Sequence, residues 1–133
     1  MRKLINGDGR LAPASVSEPK HLVLAGGGHT HALILMRWAM HPRTRPRGCI
    51  SLVNKSSGTL YSGLIPAHFS SNASLKAISI DIRSLANRAG VHFIQAEILG
   101  LNLLGKSLNL KDRPDISFDL LSLNVGAIAP FQE

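Results

Sequence analysis

The sequence lacks several features that whole classes of protein depend on. It contains one cysteine, Cys49, so an internal disulfide and a cysteine pair for a metal are both excluded. A membrane-spanning helix needs about 20 apolar residues, whereas the apolar stretch 32–36 ends at Arg37. Residues 1–20 carry charges without a long apolar block, which is neither a secretory signal nor an anchor. We therefore predict no transmembrane segment and a reducing, cytoplasmic location.

Acidic and aromatic residues are also scarce. The chain has 15 Lys and Arg against 8 Asp and Glu, a net charge of +7, and only 5% aromatic residues. Its densest basic stretch, HPRTRPRG at 41–48, contains no Phe, Trp or Tyr and belongs to no nucleic-acid-binding motif. Short charge runs of this kind are usually solvated, so we predict a connecting loop and no nucleic-acid partner. The positive charge would also suit a polyanionic cofactor, such as a dinucleotide with its pyrophosphate.

What remains is enough for one small domain. The 133 residues are 44% apolar, which permits a buried core. Residues 1–19 are predicted to form a flexible polar tail, and residues 20–133 a folded unit. Short apolar runs alternate with turn signals and with stretches of helical periodicity, a pattern typical of βαβ units.

The pattern predicts an α/β fold of the Rossmann-like type, with a parallel sheet and a small antiparallel β-meander. Apolar runs predict strands at 21–25, 49–53, 91–95 and 119–124, and helical periodicity predicts helices at 29–40 and 82–89. Asp81 is a suitable N-cap for the second helix. The meander is expected at 98–103, 107–110 and 116–118. Residues 54–74 show no clear periodicity, and a long irregular stretch of this kind is often functional.

The segment LVLAGGGHTHALIL, at 22–35, nearly matches the Gly-x-Gly-x-x-Gly fingerprint of dinucleotide-binding folds. Gly26 and Gly28 keep the positions that make the tight turn and let backbone approach a pyrophosphate, while His31 replaces the third glycine. Amides at a helix N-terminus bind anions whatever the side chains are. The segment therefore predicts a phosphate-binding turn; the alternative is a glycine-rich turn that binds nothing.

Two other positions bear on that prediction. If His31 only fills the close-packing position, His31→Gly should be tolerated at a cost of about 1 kcal/mol. His29 and His31 are two residues apart and do not face each other on a helix, so we predict no metal site. Where the fingerprint expects an acidic residue after the second strand, this chain has Asn54, whose amide can still donate and accept hydrogen bonds.

Four segments in this order resemble the N-terminal FAD-binding part of the pyridine nucleotide-disulphide oxidoreductase superfamily: HLVLAGGGHTHALIL, TLYSGLIPAHFS, ISIDIRSLANRAGVHFIQAEILGLNL and FDLLSLNVGAIAP. The chain is most similar to the NADH dehydrogenase-like flavoproteins, including the flavin domain that some members carry ahead of selenide, water dikinase. That branch has a GGGH-x-H turn, which includes His31, and a Y-S-G-x-x-P segment matched at 61–66. The resemblance covers residues 20–133.

The resemblance implies FAD as cofactor and a set of residues that contact it. The turn would lie against the pyrophosphate, Asn54 would face the adenosine ribose, and the backbone of 96–98 would approach adenine. Tyr61 would lie toward the flavin, while Asn124 and Val125 depart from the A-T-G that the family places there. The resemblance names no catalytic residue. The implied cofactor-binding residues are Gly26, Gly27, Gly28, His29, Thr30, His31, Asn54, Tyr61, Ile98 and Gly126.

The same resemblance implies an incomplete enzyme. The sequence has no redox cysteine pair after the second strand, no second glycine fingerprint and no returning FAD segment. We therefore expect the FAD-binding portion of a longer NAD(P)H-dependent flavoprotein, in which hydride passes from NAD(P)H to the flavin, completed by a downstream polypeptide. Whether this chain alone is an enzyme stays open. The alternatives are a single-domain NAD(P)-binding protein and a non-catalytic nucleotide-binding remnant.

Overall fold

A computed structural model describes residues 20–60 and 79–125 of the chain. The strands in these ranges are β1 His21–Ala25, β2 Cys49–Asn54, β3 Gly58–Leu60, β4 Ser79–Asp81, β5 His92–Gln95, β6 Ile98–Asn102, β7 Ser107–Leu110, β8 Ile116–Ser117 and β9 Leu120–Leu123. The helices are α1 His29–Met40 and α2 Ile82–Arg88, and a 3-10 turn spans Pro42–Thr44. The predicted tail at 1–19, Tyr61 and Gly126 lie outside the described residues.

The main sheet has four parallel strands in the order β5-β2-β1-β9. Its register aligns the carboxyl ends of the strands, because Ala25 pairs with both Val53 and Leu123. The residues that follow these strands therefore meet along the carboxyl edge, the side of the sheet at which the parallel strands end. Ligands of open α/β sheets usually bind there. A second sheet of three antiparallel strands, β6-β7-β8, forms the meander. The predicted fold class is confirmed.

The two faces of the main sheet are covered by different layers. Alternate side chains of a strand point to opposite faces, so Leu24 and Leu52 pack under the two helices, whereas Val23 and Val53 pack under the meander. Each fully buried side chain of this size contributes about 1.5–3 kcal/mol. The layer order of helices, parallel sheet and meander leaves the carboxyl edge of the strands accessible.

Helix α1 begins without a cap of its own. Gly28 is its N-cap residue and offers no side chain, and the first turn contains no acidic residue. The face toward the sheet buries Ala32, Leu35 and Trp38, at the spacing of successive helical turns. Helix α2 differs, because its N-cap residue Asp81 accepts a hydrogen bond from the Ser84 N–H at 3.1 Å. That backbone hydrogen bond lowers the pKa of Asp81 below 3.8.

The stretch predicted as irregular contains a strand. Gly58–Leu60 pairs antiparallel with Ser79–Asp81, a two-stranded ribbon that sequence reasoning missed. Strands of three residues give too little alternation to be read from a pattern. The carbonyl of Ser57 also accepts the amide of Ile82 at 2.9 Å, which ties the ribbon to the start of α2.

The basic stretch 41–48 connects α1 to β2 and lies at the opposite edge of the sheet from the glycine turn, because it leads into the amino end of a parallel strand. Arg45 donates hydrogen bonds to the carbonyls of Gly48 and Gly90 there. These arginines therefore do not contribute positive charge next to the glycine turn. Across the described residues, every helix is too short or too polar to cross a membrane.

Candidate functional site

The glycine turn joins β1 to α1 at the carboxyl edge of the sheet, and Asn54 holds it on one side. The Gly27 amide donates to Asn54 Oδ1 at 2.9 Å, and Asn54 Nδ2 donates to the Ser56 carbonyl at 2.8 Å. The Gly26 amide donates to the carbonyl of Val53 at 2.7 Å. Both polar atoms of the Asn54 side chain thus have partners within the protein, at the position where the fingerprint expects a ribose ligand.

Asn124, which follows β9, holds the turn on the other side. Its carbonyl accepts the Gly28 amide at 3.1 Å. Its side-chain Oδ1 accepts the Thr30 amide at 3.1 Å and lies 3.4 Å from the His31 amide. Helix α1, which has no local cap, is therefore capped by a residue more than 90 positions further along the chain. The sequence shows Asn124 only as a departure from A-T-G; its capping role depends on tertiary structure.

The close approach of Asn124 explains why the turn needs glycine. A Cβ atom on Gly26, whose φ is +93°, would lie 2.6 Å from the Cα of Val125. A Cβ atom on Gly28 would lie 2.7 Å from the Asn124 carbonyl oxygen. The sequence predicted that Gly28 leaves room for a pyrophosphate. In the structure, the residue that fills this room is Asn124.

His31 is buried behind the turn, with 1% of its surface exposed. A carbonyl can only accept, so His31 Nδ1 donates to the Gly26 carbonyl at 2.7 Å. Nε2 then accepts from the Ser122 hydroxyl at 2.8 Å. Burial lowers the pKa of His31 below its usual 6.5, and the hydrogen bond to Gly26 opposes this only in part. The imidazole is neutral at pH 7 and fixes the turn against β9, so its side chain does more than fill the place of a glycine.

A cleft of about 450 Å³ opens beside the turn, between the carboxyl edge of the main sheet and the meander. Its volume falls within the range of about 300–1,000 Å³ typical of small-molecule sites. The Ala96 amide donates to the Asn54 carbonyl at 3.0 Å and so fixes the start of the meander against β2. The cleft is lined by Gly26, Val53, Asn54, Lys55, Ala96, Glu97, Ile98, Leu99, Gly100, Leu101, Leu108, Leu123 and Val125.

The charge at the rim of this cleft comes from an ion-pair network that the sequence did not predict. Glu97 lies 3.6 Å from the ammonium groups of both Lys55 and Lys111. The lysine side chains are largely exposed and that of Glu97 is partly exposed, so the pairs contribute little to stability. Lys55 and Glu97 line the cleft, and Lys111 lies beside Glu97.

The structure brings the predicted site residues together in two groups. Gly26, Asn54 and Ile98 line the cleft. Gly27, Gly28, His29, Thr30 and His31 form the turn and the first residues of α1 beside it. Of these, His31 can offer only its backbone N–H, because its ring is buried.

The described fold matches solved structures of oxidoreductases. It superposes on sulfide:quinone oxidoreductase from Aquifex aeolicus with a TM-score of 0.67 and 18% sequence identity, covering 84% of this chain and 25% of that one. For NADH:rubredoxin oxidoreductase from Clostridium acetobutylicum the TM-score is 0.60, with 18% identity and coverage of 88% and 30%. At these identities the likeness shows a shared Rossmann-type α/β fold.

A third match, the Bacillus anthracis CoADR-RHD, gives a TM-score of 0.65 at 17% identity and covers 86% of this chain and 22% of that one. No protein-family model and no curated protein matches the sequence. The chain spans 25% of the length of the Aquifex enzyme and 22% of the Bacillus protein, so it corresponds to one portion of these larger enzymes.

Proposed function

We propose that this chain is the FAD-binding portion of an NAD(P)H-dependent flavoprotein oxidoreductase, similar to the NADH dehydrogenase-like branch. The observation that supports this most strongly is the position of the cleft. It opens at the aligned carboxyl ends of β1, β2 and β9, directly beside a glycine turn that starts a helix. Two of the solved structures that share this fold are oxidoreductases, and the sequence segments resemble the pyridine nucleotide-disulphide oxidoreductase superfamily.

The residues present suit the adenosine half of FAD. Ala96, Glu97 and Ile98 line one wall of the cleft. The Ala96 amide and the Glu97 carbonyl are already paired with Asn54 and Lys111, so the remaining backbone groups of this wall are the ones that can hydrogen-bond adenine. Leu99 and Leu101 of the meander supply exposed apolar surface to the cleft. The bound flavin would supply the hydride chemistry; the described residues bind and orient the adenosine and shield one of its faces from water.

Completion by further polypeptide is part of the proposal. The matched enzymes are three to four times longer than the segment that this chain covers. Leu120, Leu123 and Val125, in and after the outer strand β9, are each about 60% exposed, and the last two extend this apolar surface into the cleft. Such surfaces often mark a missing partner. The exposed Cys49, the chain's one thiol, agrees with a cytoplasmic location.

The test is a calorimetric titration of the purified chain with ADP-ribose, FAD, NAD⁺ and FMN. Because the cleft is proposed to hold adenosine, we expect ADP-ribose and FAD to bind with similar, weak affinity and FMN, which lacks adenine, not to bind. NADH oxidation by the chain alone should be undetectable. Binding of FMN equal to that of ADP-ribose would contradict an adenosine site, and NAD⁺ binding much tighter than FAD would favour a single-domain NAD(P)-binding protein.

A further inference from the structure

Asn124 accepts hydrogen bonds from the backbone N–H groups that a pyrophosphate would need. Phosphates bind at a helix N-terminus through the backbone amides of its first turn. Here the Thr30 amide donates to Asn124 Oδ1 at 3.1 Å, and the His31 amide lies 3.4 Å from the same oxygen. The Gly28 amide is taken by the Asn124 carbonyl. The side chain of Asn124 thus stands where an anionic oxygen would bind.

We propose that the Asn124 side chain is an internal competitor of the pyrophosphate, displaced from the Thr30 and His31 amides when a dinucleotide binds. This rests on the proposed function, which supplies the dinucleotide. The backbone of Asn124 can stay in place. Its backbone N–H donates to the Ala25 carbonyl at 2.8 Å and so holds the end of β9 against β1. Rotation of the side chain alone frees the Thr30 and His31 amides. Asn124 therefore lowers nucleotide affinity while it stabilises the nucleotide-free turn.

The absence of charge on the Asn124 side chain allows a phosphate to displace it. An Asp in this place would interact more favourably with the positive end of the helix dipole and would repel an incoming phosphate. An amide caps the helix without charge, so a phosphate, which is charged, can replace it. The buried His31 is neutral and contributes no charge that would favour either ligand.

Substitutions at Asn124 test the competition, with ADP-ribose as the probe. We expect Asn124→Ala to bind ADP-ribose about fivefold more tightly, the factor equivalent to the roughly 1 kcal/mol that removing an Asn cap costs. Asn124→Asp should bind at least about tenfold more weakly, because its carboxylate is a stronger competitor and repels the phosphates. Asn87→Ala, a change of the same residue type on the exposed face of α2, is the control and should match wild type.

Each other outcome has a defined meaning. Weaker or unchanged binding by Asn124→Ala, with wild type binding normally, overturns the competition and leaves the proposed function standing. Absence of ADP-ribose binding in wild type and all variants contradicts the proposed function itself. The buried Trp38 reports folding of each variant by fluorescence. If Asn124→Ala does not fold, Asn124→Ser, whose uncharged side chain is shorter and reaches the two amides less well, should bind ADP-ribose more tightly than wild type, and equal or weaker binding overturns the competition.

Discussion

Replacing Gly26 by alanine is expected to lower the free energy of unfolding by about 3 kcal/mol or more, since a left-handed residue with a side chain costs about 1–2 kcal/mol and overpacking about 1–3 kcal/mol. Gly26 has a φ of +93°, and a Cβ there would lie 2.6 Å from the Cα of Val125. Backbone atoms cannot rotate away as a side chain can, so β9 would have to move. Denaturant melts followed by Trp38 fluorescence measure the loss.

Gly90→Ala is the matched control for this prediction. Gly90 also has a left-handed φ, of +70°, but a Cβ there would meet only the flexible side chain of Arg45, at 3.4 Å. It should therefore show the conformational cost alone, about 1–2 kcal/mol. Equal losses for the two variants would show that the contact between the turn and β9 has no energetic importance.

Replacing His31 by glycine is expected to lower the free energy of unfolding by about 3 kcal/mol or more. Truncating a large buried side chain costs about 2–5 kcal/mol, and leaving the buried Gly26 carbonyl without its donor costs about 1–3 kcal/mol. The ring is 1% exposed and hydrogen-bonds both Gly26 and Ser122. This replaces the expectation from the fingerprint that glycine is tolerated at position 31. His92→Ala, at an exposed histidine of β5, should change stability by less than about 0.5 kcal/mol.

The pH dependence of stability gives His31 a second signature. Burial lowers the pKa of His31 in the folded chain below 6.5. As pH falls below about 6.5, the unfolded chain takes up a proton that the folded chain resists, so wild type loses stability. The His31→Gly variant should lack this component and show a flatter profile between pH 7 and 5.5. A steeper profile for the variant than for wild type would mean that His31 is stabilised in its charged form.

The local structure of this chain could be predicted because its signals are local. Strand 21–25, helix 29–40 and strand 107–110 were predicted with the boundaries that the structure shows, since apolar periodicity ends there at glycines, prolines or polar turns. The N-cap role of Asp81 was likewise predicted from its position before the helix. The strand at 58–60 was missed because its partner at 79–81 is about 20 residues away and equally short.

The contacts that define the site could not be predicted, because they join distant segments. Asn124 lies more than 90 residues beyond the helix that it caps. Ser122 is equally far from His31, so the fingerprint could suggest only that position 31 is closely packed, not that its ring is hydrogen-bonded. The fingerprint predicted a phosphate site at the turn, and the tertiary structure shows that Asn124 hydrogen-bonds the amides of that turn.

The most direct test of this account is a crystal structure of the chain with ADP-ribose. We expect adenosine in the cleft against residues 96–98 and the pyrophosphate at the glycine turn, hydrogen-bonded to the Thr30 and His31 amides, with the Asn124 side chain turned away. ADP-ribose held at the other edge of the sheet, beside Arg37 and Arg43, would contradict the proposed site.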